Sequence, residues 1–262
     1  MMSKRLIPPL NKTIHPFRKK WGQNFIRDPN IISKIIELLN PVQADTILEI
    51  GPGNGALTDE ISKKVDKVHA VEIDPLLVMQ LKGKKYKNVI IHKGDILDWD
   101  ISILPEKIKI IGNLPYNISS PILFRFLEES NWERMIFMFQ KELAERIISK
   151  EGSKSYGRIS VMCQVFCHVQ NKFNVSRNIF QPKPNVESSV LSFYPKDIDL
   201  PDPRQFSIFI KQSFSQRRKK LKNNLSQAYK AGLIEKWAHM RPEEINPKDF
   251  VQIFNRIILY KT

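Results

Sequence analysis

Acidic residues are in short supply: 27 Asp and Glu stand against 42 Lys and Arg, leaving a formal charge of +15. That balance excludes an acidic solvating chain and points to a polyanionic partner, nucleic acid first and an anionic membrane surface second. Cysteine is nearly absent, so a disulfide-stapled secreted scaffold is excluded. The two present, Cys163 and Cys167, lie four apart in an apolar segment and read as buried packing residues on one face of a helix. His168 alone beside them does not complete a zinc set. No apolar run approaches the ~20 residues that a membrane span needs. Residues 1–20 carry prolines at 8, 9 and 16 and no apolar core of signal-peptide length, so the expected location is cytoplasmic. No internal repeat is evident. Glycine is sparse too, ten in all, yet three glycines fall at alternate positions between residues 51 and 55.

That cluster organises the chain. The apolar run Thr46-Ile-Leu-Glu-Ile50 feeds into Gly51-Pro-Gly-Asn-Gly55, and Ala56 to Val65 then reads as helix. Strand, tight glycine loop and helix bring backbone N–H groups close to a polar ligand. Two patterns fit. Gly51, Gly53 and Ala56 match the loose dinucleotide spacing, while Glu49 with the three glycines matches the E-x-G-x-G-x-G loop of S-adenosylmethionine-dependent methyltransferases. Pro52 favours the second, because it removes an N–H that a pyrophosphate would use.

Acids then follow strands in order. Lys67 to Ile73 reads as a strand ending at Glu72, the acid placed to accept from a ribose diol; Asp74 and Pro75 read as cap and first residue of the next helix. Asn88 to His92 is a third strand, and Asp95 just beyond it can accept from an adenine amino group. Lys107 to Gly112 is a fourth, delivering Asn113-Leu-Pro-Tyr116, after which Ser119 or Ser120 with Pro121 begins a helix. Arg134 to Phe139 reads as a central buried strand, and Ser189 to Tyr194 as a last, antiparallel one. Alternation of strands and helices implies a mostly parallel, Rossmann-like α/β sheet covered on both faces.

The Asn113 corner suits methylation of an aromatic amine. The lone pair of adenine N6 is delocalised into the ring, and the Asn113 side-chain oxygen with the Leu114 carbonyl can hold its hydrogens so that the nitrogen pyramidalises. Pro115 stiffens the turn and Tyr116 offers a flat face for a base.

Jointly these segments resemble the ribosomal RNA adenine N6-dimethyltransferase family, in its bacterial small-subunit branch. The resemblance covers nearly the whole chain, through Gly22-Gln-Asn-Phe25, the glycine loop, Glu72-Ile-Asp74, Gly94-Asp95, Asn113-Leu-Pro-Tyr116, Tyr156-Gly-Arg-Ile-Ser160, the stretch from Phe180 to Ser188, and Phe214-Ser-Gln-Arg-Arg-Lys219. It implies S-adenosylmethionine as cofactor, contacted at Asn24, Ile26, Gly51, Glu72, Asp95 and Asn113. It implies a target adenine held against Tyr116 and Phe180, and a small-subunit rRNA or 30S precursor substrate carrying two adjacent adenosines near its 3′ end. It also implies a monomer that needs no metal and no membrane. Departures are modest: Ile26 stands where leucine is usual, and Pro242 and Asn246 alter a carboxyl-terminal Arg-x-Glu motif.

Residues 1–195 read as the cofactor-binding catalytic domain with a basic extension between Lys4 and Arg27. The segment 195–203, rich in proline and charge, reads as a linker to an all-α part spanning 196–262. There Arg217, Arg218, Lys219, Lys220 and Lys222 are candidates for gripping phosphates, contacts that fix register without reading sequence. Two alternatives stay open: a large-subunit, resistance-type methyltransferase, and a non-catalytic ribosome-assembly factor.

Overall fold

A computed structural model describes residues 23–261, apart from residues 130 and 199. The basic residues Lys4 to Lys20, with Trp21 and Gly22, lie outside the described residues. Seven strands form the main sheet, in spatial order β4 (Val89–Lys93), β3 (Lys67–Glu72), β2 (Thr46–Ile50), β5 (Ile108–Asn113), β6 (Trp132–Gln140), β9 (Ser188–Pro195) and β7 (Cys167–Val175). All are parallel except β9, which runs antiparallel to both its neighbours. From β2 the chain winds outward through β3 to β4, then returns to place β5 on the other side of β2. That reversal opens a crevice at the carboxyl ends of β2 and β5, where ligands bind in sheets of this kind.

Helices cover both faces. On one, α1 (Pro29–Leu39) and α2 (Ala56–Ile61) set Ile32, Ile35, Ile36, Leu57 and Ile61 against Ile47, Val68, Ile111 and Ile136 of the sheet. On the other, α4 (Ser119–Leu127) and α6 (Arg158–Phe166) pack Leu123, Phe126 and Met162 into a cluster with Leu48, Ile110 and Phe137. The starts of α1 and α3 (Pro75–Gly83) follow from their caps: Asp28 and Asp74 accept backbone N–H bonds at 2.8 and 3.0 Å, with proline at the first helical position. The far end of α1 is held by cations, as its dipole favours. Lys109 donates to the Asn40 carbonyl and pairs with Asp45 at 2.5 Å, and Arg134 donates to the carbonyls of Leu38 and Leu39.

Asp202 caps α7 (Pro203–Ser213), followed by α8 (Leu221–Asn224), α9 (Ser226–Lys230) and α10 (Pro247–Lys261). Phe206 and Phe209 of α7 meet Phe254 of α10 and belong to the same buried cluster as the sheet face above α6. Phe166 abuts Phe206, and the fully buried Tyr156 donates its hydroxyl to the Ile245 carbonyl at 2.9 Å. The core is therefore continuous past residue 196.

Several expectations are corrected. The two cysteines do not share a helix: Cys163 is in α6, whereas Cys167 opens β7, and both are buried. The strand β7 carries His168, Gln170, Asn171, Lys172 and Asn174, polar character suited to an edge that must not recruit other strands but silent as a hydrophobic pattern. Neither Ser119 nor Ser120 caps α4; the cap is Ile118, and the Ser119 hydroxyl turns back to the Tyr116 carbonyl. Helix α2 stops at Ile61, short of Val65. Ile208 of α7 points to solvent, away from the buried Phe206, Phe209 and Ile210.

Candidate active site

The crevice is lined by the glycine loop, by the ends of β3, β4 and β5, and by the short strand β1 (Phe25–Ile26). Gly51 and Gly53 adopt φ of 63° and 60°, the left-handed region that favours glycine. A Cβ on Gly53 would lie 2.8 Å from the Phe25 ring, so the absence of a side chain lets β1 close over the loop.

Two carboxylates sit beneath and beside this loop. Glu49 is 1% exposed and accepts a 2.6 Å hydrogen bond from the Thr58 hydroxyl. Burial pushes its pKa up to about 7, with the Thr58 bond pulling the other way. Glu72 accepts from the Gly53 N–H at 3.1 Å with one oxygen and from the Asp74 N–H at 2.9 Å with the other. Its burial raises the pKa and those backbone bonds oppose the rise. Each oxygen retains a lone pair, so a diol can still be accepted. Asp74 serves as the helix cap and also accepts from the Gln23 side chain at 2.9 Å. Asp95 accepts from the Leu97 N–H at 2.9 Å, which makes it the anchor of a tight turn at the crevice wall.

Asn113 ends β5 and donates from Nδ2 to the Asn24 carbonyl at 2.6 Å. A carbonyl can only accept, so the amide nitrogen must face it and Oδ1 is left as an oriented acceptor. Leu114 and Pro115 continue the same wall. Asn24, Ile26, Gly51, Glu72, Asp95, Asn113, Leu114 and Pro115 thus converge on one crevice although they span 92 positions of the chain, from 24 to 115.

Tyr116 and Phe180 do not line it. Tyr116 is half-buried, its hydroxyl 2.7 Å from the Ser188 hydroxyl, which pins the ring. Phe180 is 5% exposed and packs in the cluster with Ile26 and Val190. It starts β8 (Phe180–Gln181), which pairs antiparallel with β1 so that Ile26 stands opposite Phe180. Its accessible edge faces an open groove shared with Arg27, Asn178 and Lys183.

Of the basic candidates, Arg217 is engaged internally: its Nε pairs with Glu243 at 2.6 Å and its guanidinium also donates to the Lys154 carbonyl. Arg218, Lys219 and Lys220 are exposed, and the Lys222 ammonium lies 5.5 Å from the Tyr229 ring centre. Thr58 carries no local signal in the sequence, and Ser188 stands there only as the end of the stretch that begins at Phe180. Among the described residues no group of three or more His, Cys, Asp or Glu could hold a metal ion.

The sequence profile of the family described as Ribosomal RNA adenine dimethylase matches residues 14–259. Two similar curated proteins bear the name Ribosomal RNA small subunit methyltransferase A. That of Coxiella burnetii (strain RSA 493 / Nine Mile phase I) is 40% identical over 251 residues, 92% of this chain and 97% of the relative. That of Herminiimonas arsenicoxydans is 41% identical over 254 residues, 93% and 99% of the two chains. Among solved structures, a dimethyladenosine transferase from Plasmodium falciparum is similar with a TM-score of 0.80 at 25% identity, covering 90% of this chain and 98% of that one. The 23S rRNA methyltransferase ErmE shares the fold at a TM-score of 0.65 and 24% identity, covering 89% and 99%.

Proposed function

Because the chain belongs to the ribosomal RNA adenine dimethylase family, we propose that it dimethylates the N6 amines of two adjacent adenosines near the 3′ end of small-subunit rRNA, with S-adenosylmethionine as methyl donor. The observation that carries this reading is the Asn113 amide, fixed by the Asn24 carbonyl with its oxygen left to accept, in the same crevice as Glu72 and Asp95.

The crevice fits that cofactor. Glu72 suits a ribose diol, Asp95 a purine amino group, and the buried Glu49 favours a ligand of positive charge. The cofactor supplies an electrophilic methyl group when bound. The protein's own work is on the acceptor: Asn113 Oδ1 and the Leu114 carbonyl take the two N6 hydrogens, drawing the nitrogen lone pair out of conjugation and aiming it in line for transfer. No strong base is required, because the nitrogen becomes cationic as its bond to carbon forms and then loses a proton to water. A second transfer needs only one N–H acceptor, so the same corner can readmit a monomethylated amine. Tyr116, held by Ser188, provides one stacking face, and Phe180 would offer the accessible edge of its ring as a second aromatic contact for the base. Residues 196–262 form the RNA-binding part, with Arg218, Lys219, Lys220 and Lys222 on phosphates. Arg217 instead fastens that part to the loop before α6. The protein acts as a monomer in the cytoplasm on a 30S precursor.

Incubation of the protein and labelled cofactor with small and large ribosomal subunits lacking the modification, followed by digestion to nucleosides, tests this directly. The expected product is N6,N6-dimethyladenosine from the small subunit alone. Label in the large subunit would point to the resistance-type activity, and rRNA and cofactor binding without transfer to either would point to an assembly factor.

A further inference from the structure

Helix α4 leaves the Asn113 corner and sends one cation back toward the purine side of the crevice. Arg125 is half-buried on α4 and donates from one guanidinium nitrogen to the Ile96 carbonyl and from another to the Trp99 carbonyl. Those carbonyls bracket the turn that Asp95 begins. Within it the Asp95 carbonyl accepts from the N–H groups of Asp98 and Trp99, and its carboxylate from Leu97. The outer side of the turn is also held: the Trp99 ring lies 4.9 Å from His92, which stacks on His69 at 5.1 Å. Asp95 and Ile96 line the crevice, whereas Arg125 does not.

We infer that Arg125 is a positioning residue that sets purine specificity: by fastening the turn it holds the Asp95 carboxylate where it accepts from a 6-amino group and cannot retreat from a 6-oxo group. The inference rests on the proposed role of Asp95. A guanidinium is a rigid fork and can bind two carbonyls at fixed separation, whereas an ammonium is a single point on a flexible stem. Discrimination between an amine and a carbonyl depends on this stiffness. A carboxylate facing a 6-oxo group sets acceptor against acceptor, and a loose turn relieves the conflict by swinging away, which also weakens the bond to the amine.

The test compares S-adenosylhomocysteine with S-inosylhomocysteine, in which a carbonyl replaces the 6-amino group, by calorimetric titration of the full chain and of Arg125→Met and Arg125→Lys. The unmodified protein should prefer the adenosyl ligand by about 100-fold, the scale of a buried polar mismatch. In Arg125→Met the preference should shrink to about tenfold or less, chiefly through weaker adenosyl binding, with Arg125→Lys between the two. The lysine variant keeps the charge and one carbonyl contact, so it carries the test should the methionine variant not fold. Equal weakening of both ligands with the preference intact would overturn the inference and reduce Arg125 to a structural brace. Absence of any preference in the unmodified protein would instead sink the role of Asp95, and the inference with it.

Discussion

On the cofactor side of the crevice the polar groups are buried and tied. Glu49 and Glu72 are 1% and 5% exposed, and each is held by a hydroxyl or by backbone N–H groups. On the surface proposed to meet RNA, the cations Arg218, Lys219 and Lys220 stand exposed at a turn. A small ligand with fixed donors and acceptors rewards groups set in place beforehand, whereas a phosphate backbone needs only mobile positive charge. Substitutions on the first side should therefore change affinity steeply and specifically, and those on the second gradually and in a salt-dependent way.

The largest break in that contrast is Glu72→Ala. The two hydroxyls of a bound diol lose their charged acceptor, each worth about 1–3 kcal/mol, so cofactor affinity should fall by at least about 100-fold in calorimetric titration while rRNA affinity is retained; the Gly53 and Asp74 N–H groups left without an acceptor lower stability instead. Next, Glu49 offers a pH handle. A cationic ligand favours the ionised carboxylate, so cofactor affinity should rise as pH climbs through about 7 and level off above it. In Glu49→Gln that slope should vanish.

Stability should show two opposing slopes. Burial holds His69 down at about 4, below its ordinary 6.5. The unfolded chain therefore binds more protons between those values, and stability rises with pH across that window. Glu49, raised from 4.5 to about 7, does the reverse: the folded state keeps a proton that the unfolded chain releases, and stability falls as pH rises across that range. Relative to the unmodified protein, urea midpoints should thus gain less as pH rises from 4 to 6.5 in His69→Asn and lose less as pH rises from 4.5 to 7 in Glu49→Gln.

The smallest effects belong to the basic turn. Arg218→Glu and Lys219→Glu should each weaken rRNA binding and lower the slope of log affinity against log salt by roughly one, leaving cofactor binding unchanged. Arg217→Ala should barely alter that slope and should cost about 1 kcal/mol or less of stability, the scale of an exposed ion pair. A salt slope that falls as much for Arg217→Ala as for its neighbours would erase the distinction.

Much of this was legible along the chain, because a parallel sheet repeats one device: an apolar strand ends and its next residues face the ligand. Gly51 and Asp95 come just after a strand, Glu72 and Asn113 are the last residues of one, and the helix starts at Asp28 and Asp74 are local chemistry. What escaped was decided by distant partners. Asn24 meets Asn113 across 89 positions and Tyr116 meets Ser188 across 72, bonds that no local pattern encodes. Phe180 entered only through the family resemblance, and its packing against Ile26 depends on the pairing of β8 with β1. The edge strand β7 was hidden by the polar residues that an exposed edge calls for.

The most direct test of the central claim is single-turnover methyl transfer by Asn113→Ala, alongside its affinities for S-adenosylhomocysteine and small-subunit rRNA. Loss of an oriented acceptor should slow transfer by about 10²-fold or more while rRNA affinity is nearly unchanged and the cofactor analogue still binds. Transfer at the unmodified rate, with both ligands bound, would contradict the role assigned to the Asn113 oxygen.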